Sequence, residues 1–313
     1  MPPSGANPLD QVVPTPTALS RRGRLARQRA RTGYLFVAPA VVVLLLTNLV
    51  PILVAFYLSF TRYDLLHPPS FAGLQNYQLL LNGASFIDAV GRTLYFTITQ
   101  VPAGTVLAIL AALLLNGPIA GRGPLRTAIY LPQATSYVVV ALIWSFLYDP
   151  MSGPLDLALK AIGIGPVYWL TDPNLAMPAI VILSIWRNLG YYMVIYLAAL
   201  QAVPRELHEA AAIDGATSFG RFRHITLPLL TPVTAFVLIT WSIGAMQMFT
   251  QAYVMTGGGP VDATTTVVYR VYQAAFLFLQ MGQASAMAFA LFVVVAAMTL
   301  LSRSILMREE SVS

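Results

Sequence analysis

At 313 residues, 57% hydrophobic and only 10% charged, with a mean hydropathy of +0.70, the chain is too apolar for an ordinary soluble domain, in which about 25% of residues are charged. It has no cysteine, which excludes disulfides, thiol catalysis and cysteine-held metals, and its three histidines, His67, His208 and His224, share no metal-ligand spacing. The net charge of +6 is carried by arginine, with Lys160 the single lysine; it flanks apolar segments, which points to membrane topology and away from nucleic acid.

Residues 1–33 read as a disordered, Pro-rich, basic cytoplasmic tail ending in "RRGRLARQRAR". The apolar run after it is too long for a signal-peptide core, so an uncleaved first span is expected. A bilayer core of about 30 Å takes roughly 20 apolar residues of helix. Six segments qualify, about 34–60, 92–116, 127–148, 176–200, 229–252 and 284–305. Backbone polar groups in lipid must pair internally, so these are predicted helices. The loops at 61–90 and 149–177 mix Pro/Gly turns with short amphipathic pieces, and "TGGGP" (256–260) is expected to end the fifth span.

Arginine sets the orientation. An inward N-terminus puts Arg21, Arg22, Arg24, Arg27, Arg29, Arg31, Arg122, Arg126, Arg205, Arg221, Arg223, Arg303 and Arg308 on the cytoplasmic side. The opposite topology would place all of them outside, against the positive-inside rule. The expected fold is therefore all-α and polytopic, with six transmembrane helices over 34–307, both termini inside and a short C-terminal tail at 308–313.

Between the fourth and fifth spans lies "EAAAIDGATSFGRFRHITLPLL" (209–230). Glu209 and the alanines extend a helix that begins near Pro204. Gly215 offers its end, "SFGRFRHI" predicts a second short helix capped by Ser218, and Pro228 suits the start of the next span. By itself this is a docking helix with small residues for close approach and charges at its rim.

Glu209-Ala210-Ala211, Gly215 after three residues and Ile225-x-Leu227-Pro228 after nine reproduce E-A-A-x3-G-x9-I-x-L-P at every fixed position. This resembles the cytoplasmic coupling motif of permease subunits of binding-protein-dependent ABC importers. The flanking "YLAALQAVPRELHEAAAIDGA" and "YVMTGGGP…TTTVVYRVYQAAF" look like the carbohydrate-uptake branch, with maltose-type and glycerol-phosphate-type permeases. The resemblance implies a type I ABC importer permease fold in the bacterial cytoplasmic (inner) membrane. It implies a second homologous permease subunit, an ABC ATPase dimer that uses ATP and Mg, and an extracytoplasmic solute-binding protein. It makes the 204–228 region the coupling helix, with Glu209, Ala210, Ala211, Asp214, Gly215, Arg221, Arg223, Ile225, Leu227 and Pro228 at the ATPase. No cofactor, metal or catalytic group is expected in this chain.

Arg187 is the one charged residue clearly inside a span. It reads either as a pathway residue or as an interhelical or snorkelling arginine. Asn188, Tyr191, Gln247, Met248 and Gln251 join it as candidate sugar-pathway residues, although polar side chains also bond packed helices to one another. A self-sufficient secondary transporter is the alternative function; it would favour intramembrane acids for ion coupling, and no Asp or Glu lies well inside a span. An intramembrane enzyme finds no Ser/His, paired-Asp or H-E-x-x-H arrangement at membrane depth.

Overall fold

The computed structural model describes the backbone at residues 30, 32–118 and 120–310, and side chains as far as 300. Most of the basic N-terminal tail, the end of the C-terminal tail and the side chains of Arg303 and Arg308 lie outside the described residues. By its internal contacts the chain divides into Met1–Ala55 and Phe56–Ser313. Among the described residues five helices are long and apolar enough to cross a membrane, or six when one sharply bent pair counts as a span.

Helix α1 covers Thr32–Ser59. Its side chains from Tyr34 to Leu53 are almost all apolar and exposed, as a lipid-facing helix requires. The polar side chains in its middle are paired within it: Thr47 Oγ1 donates to the Val43 carbonyl at 2.8 Å, and Asn48 Nδ2 to that of Leu44 at 3.2 Å. A wide π turn, Leu45–Leu49, ends two residues before Pro51. A proline cannot donate to the helical ladder, and a wide turn relieves the crowding it causes.

In the second unit, β1 (Thr61–Arg62) and β2 (Ser70–Phe71) form a two-residue antiparallel ladder, the one departure from an all-α fold among the described residues. Helix α2 (Gln75–Asn82) follows. Buried Asn76 donates to the carbonyls of Ser59 at 2.8 Å and Thr61 at 2.9 Å, which pins the ladder to the end of α1. Then come α3 (Ala84–Asn116), α4 (Arg122–Ala134), α5 (Tyr137–Leu147), α6 (Pro154–Ala161) and α7 (Ala176–Ala202). After these run α8 (Arg205–Ile213) and α9 (Ser218–Met246). A short α10 (Val267–Tyr272) and a terminal α11 (Met281–Glu310) complete the chain.

The core sits where α3 packs on α7 and α9, around Phe96, Ile180, Met193, Tyr196, Leu230, Val237 and Trp241. Small residues bring the backbones together, as expected where lipid supplies no hydrophobic drive between helices. Ala108 and Ala112 are fully buried on α3, and a Cβ at Gly190 of α7 would meet the Ile129 carbonyl and the Tyr130 backbone of α4.

Two predicted spans are broken. That expected over 127–148 is the pair α4 and α5, bent by 102°. Pro132 cannot continue the ladder, and Ser136 is extended with ψ at 136°. The span expected over 229–252 stops at Met246, and a separate wide turn, Ala252–Thr256, ends at Gly257 with φ +59°. "TGGGP" therefore ends that separate turn.

Outside the spans, α6 holds a buried acid. Asp156 Oδ1 accepts the amide of Val167 at 2.8 Å, and Oδ2 pairs with Lys160 at 2.9 Å. Val167 first and Lys160 second hold this carboxyl below its usual range.

Candidate functional site

Both broken spans meet at one cavity. Its volume is about 210 Å³, and its walls are Phe96 and Gln100 of α3, Tyr137 of α5, Asn188 and Tyr192 of α7, Trp241, Gly244 and Ala245 of α9, and the stretch from Gln247 to Gln251. Tyr137 is the first residue of α5, directly after one break, and Gln247 to Phe249 are the other. Non-helical backbone at membrane depth is tolerated where it lines such a cavity, and interrupted spans mark binding sites in many transporters. The lining is rich in amides and aromatic rings. Trp241 and Tyr192 stack with centroids 4.0 Å apart and planes at 10°.

Four of the six pathway residues expected from the sequence line this cavity: Asn188, Gln247, Met248 and Gln251. Asn188 Nδ2 donates to the Ser184 carbonyl at 2.8 Å, and buried Gln251 donates through Nε2 to Ser184 Oγ at 3.3 Å. Gln247 is exposed and Met248 buried. The other two stand apart. Tyr191 faces outward, 41% exposed, edge-on to Tyr192.

Arg187 is turned to the break between α4 and α5. It donates to Gln133 Oε1 at 2.9 Å, to the Gln133 carbonyl at 3.4 Å and to the Thr135 carbonyl at 3.1 Å, and its guanidinium lies 4.0 Å from the centre of the Tyr137 ring. A helix end leaves carbonyls unpaired. Arg187 supplies their donors, which is the interhelical alternative of the two readings its position allowed.

Sequence reasoning overlooked Gln100, Tyr137, Tyr192 and Trp241. Gln100 did carry a signal, as an amide in the middle of "YFTITQVPAG"; the aromatic residues carried none, since rings at helical spacing read as ordinary core.

The motif at 209–228 forms a second exposed surface. Helix α8 has no buried residue, and it ends in a Schellman turn. The amide of Ala216 donates to the Ala211 carbonyl at 2.8 Å and that of Gly215 to the Ala212 carbonyl at 3.1 Å, with Gly215 at φ +79°. Asp214 is the C-cap of α8. Thr217, and not the expected Ser218, caps the next helix. Thr217 is the extended residue, and its Oγ1 accepts the Gly220 amide at 3.1 Å, whereas Ser218 is already helical. Nor is the second short helix separate. It runs through a wide turn, Phe222–Thr226, into the stretch that holds Leu227 and Pro228, so that α9 is one rod of 29 residues. Glu209, Ala210, Arg223, Leu227 and Pro228 are exposed, while Ala211, Arg221 and Ile225 are half-buried. Ile213 at the end of α8 is 87% exposed and Phe219 on α9 is 69% exposed.

Residues 104–308 match the family of binding-protein-dependent transport system inner membrane components. The chain belongs to this family. The permease is 38% identical, over 78% of its own length and 83% of the relative's, to the trehalose/maltose transport system permease protein MalF of Thermococcus litoralis. It is 38% identical, over 84% of its length and 89% of the relative's, to the lactose transport system permease protein LacF of Rhizobium radiobacter. It is also similar to a chain in the crystal structure of a bacterial ABC transporter involved in the import of the acidic polysaccharide alginate. The TM-score there is 0.81 and the identity 25%, over 92% of the permease and 99% of that chain. The fold is that of a type I ABC importer permease. This sets the permease among importer subunits and apart from self-sufficient secondary transporters.

Proposed function

We propose that this chain is the permease subunit of an ATP-driven importer that carries a sugar or related polyol across the cytoplasmic membrane of a bacterium. It works with a second homologous permease, an ABC ATPase dimer and an extracytoplasmic solute-binding protein. ATP and Mg act on the ATPase, and this chain holds neither. The substrate passes through the cavity between α3, α5, α7 and α9. At about 210 Å³ the cavity is smaller than the roughly 300–1,000 Å³ of usual ligand sites, which suits one wall of a pathway shared by two subunits. The names of the relatives, trehalose/maltose and lactose permeases, support the carbohydrate class.

The observation that carries the coupling role is the uncovered α8 and the turn after it. Ile213 and Phe219 are large apolar side chains left in the open beside Glu209 and Arg223. An apolar centre with a charged rim is the composition of a protein interface. Because α9 runs unbroken from Ser218 to Met246, through the wide turn at Phe222–Thr226, a push on its Thr217 end is carried along one continuous helix to Gln247 at the cavity. Closure of the ATPase dimer would thus move a wall of the pathway.

The test is purification of the chain with and without its co-expressed ATPase. The expected result is a stable complex that hydrolyses ATP, with none hydrolysed by the isolated chain. Robust turnover by the isolated chain, or no association when α8 is intact, would reject the assignment.

A further inference from the structure

A second cavity, of about 350 Å³, lies between β1, the residues after it, α2 and the start of α11. Gly282 closes one side: a Cβ there would meet the Thr61 carbonyl, and its amide donates to the Tyr63 carbonyl at 3.2 Å. The lining is polar, with Arg62, Asp64, Gln75, Asn76, Gln280 and Gln283. Arg62 donates through Nη2 to Gln75 Oε1 at 2.8 Å, and a guanidinium has further N–H groups to give. The side-chain amides of Gln280 and Gln283 have no partner among the described residues. Asp64 Oδ1 accepts the amides of Leu66 at 3.1 Å and His67 at 2.9 Å, and Oδ2 faces His67 Nδ1 at 2.8 Å. The His67 ring first, and these amides with it, hold the Asp64 carboxyl down at about 2, so it is ionised.

Around this polar cavity the surface is apolar. Leu65, Leu66, Phe71, Leu74, Leu79 and Leu81 are all exposed, Phe71 to 82% and Leu66 to 77%. A segment this short in water seldom keeps so many large apolar side chains uncovered. What covers them follows from where the segment starts. Helix α1 ends at Ser59 and β1 begins at Thr61, and Asn76 of α2 bonds to the carbonyls of both residues. No linker lifts the hairpin or α2 away from the end of the transmembrane helix, so both stay at the bilayer surface. The distribution of arginine makes that the outer surface. Apolar side chains beside polar ones at this depth are the composition of an interfacial segment, with its apolar side among the acyl chains.

Arg62 and Asp64 are the charged residues of the lining, one of each sign. A phosphate accepts charge-assisted hydrogen bonds from a guanidinium, and an ammonium gives them to a carboxylate. A headgroup that carries both therefore matches both walls, whereas a purely anionic one meets the Asp64 charge uncompensated. We propose that the hairpin and α2 form a lipid site at the outer membrane surface, where the apolar rim enters the leaflet and the cavity holds the headgroup of a zwitterionic phospholipid, its phosphate at Arg62 and its ammonium at Asp64. The site is separate from the cavity between the spans and does not depend on which solute is carried.

Two measurements test this. The chain has no cysteine, so Phe71→Cys in the full-length permease takes a single bimane dye, and the labelled chain is placed in vesicles of phosphatidylethanolamine and phosphatidylglycerol. Quenching by a phospholipid with a nitroxide high on its acyl chain is expected, with little by aqueous iodide. Strong iodide quenching without lipid quenching would put this face in water, open to a soluble protein, and overturns the inference. The second measurement uses the whole transporter, purified in detergent at pH 8 with an equal mixture of the same two lipids, and reads the retained lipid by native mass spectrometry. Phosphatidylethanolamine should be retained about fivefold over phosphatidylglycerol, the upper worth of an exposed ion pair. Arg62→Gln should remove that preference. Asp64→Asn keeps an oxygen for the Leu66 and His67 amides and should shift retention toward phosphatidylglycerol, which loss of structure alone would not do. Equal retention of the two lipids by the unaltered protein, no retained lipid, or a preference that neither variant changes overturns the headgroup assignment, even with the dye in lipid.

Discussion

The guanidinium of Arg187 lies 4.0 Å from the centre of the Tyr137 ring while its nitrogens donate across the break between α4 and α5. One side chain therefore both caps the end of α4 and holds the first residue of α5 against the cavity. Hydrogen bonds to a charged group are worth about 1.5–3 kcal/mol, with interhelical bonds in bilayers toward and below the low end. Arg187→Ala should lower stability by about 1–3 kcal/mol and reduce uptake with it. Arg187→Lys should recover only part, because an ammonium lacks the planar fork that reaches two acceptors and stacks on a ring. Thermal unfolding in detergent and uptake in vesicles check this together. Lost uptake with an unchanged midpoint would make Arg187 a ligand contact.

Gly104 of α3 stands against the Trp241 ring, and a Cβ there would overlap the indole. Gly104→Val should push Trp241 off its stack on Tyr192 at a cost of about 1–3 kcal/mol, the range for overpacking a closed site. Near-ultraviolet circular dichroism should register the lost stacking, and uptake should fall. Full uptake would show that the position of Trp241 is immaterial to transport.

Gly215 meets nothing within 4 Å where a Cβ would be, so the cost of replacing it comes from its φ of +79° alone. Gly215→Ala should cost about 1–2 kcal/mol and weaken coupling, and Gly215→Asn less, since asparagine tolerates this conformation. Gly215→Pro should be the most severe: its ring holds φ near −65° and it loses the bond to the Ala212 carbonyl. ATPase co-purification and the ratio of ATP hydrolysed to substrate imported are the readouts. Wild-type values for Gly215→Pro would mean that this turn transmits nothing.

A reporter fused at Ser313 should read cytoplasmic and one inserted near Pro154 external, given the distribution of arginine along the chain. The reverse pattern would put α8 on the side where no ATPase can meet it.

Asp156 has a lowered pKa in the folded loop. Its ionised form is thus the one the fold prefers. The resulting stability is fully present above the ordinary value of 3.8 and is lost as pH falls through the depressed folded value. Loop 149–175 should therefore stay resistant to external protease at neutral pH and open only in strong acid. Asp156→Ala should open it at neutral pH by freeing the Val167 amide and Lys160, and Asp156→Asn should do so less, since its oxygen still accepts from Val167. A protease pattern unchanged by either variant would show that this acid does not hold the loop.

Periodicity and composition were enough for the number of apolar segments and the short helix at 205–213, because apolar length and local helix propensity are properties of consecutive residues. The turn at Gly215 was legible for the same reason, since a left-handed residue after an alanine run is a local demand. The two breaks at Thr135–Ser136 and Gln247–Phe249 were not legible. Each leaves backbone groups unpaired, and their partners are far along the chain: Arg187 for the first, and Thr266, whose Oγ1 donates to the Met248 carbonyl at 2.7 Å, for the second. The cavity was hidden for the same reason. Gln100 and Trp241 are 141 residues apart in sequence, and only the packing of α3 against α9 makes them two walls of one space.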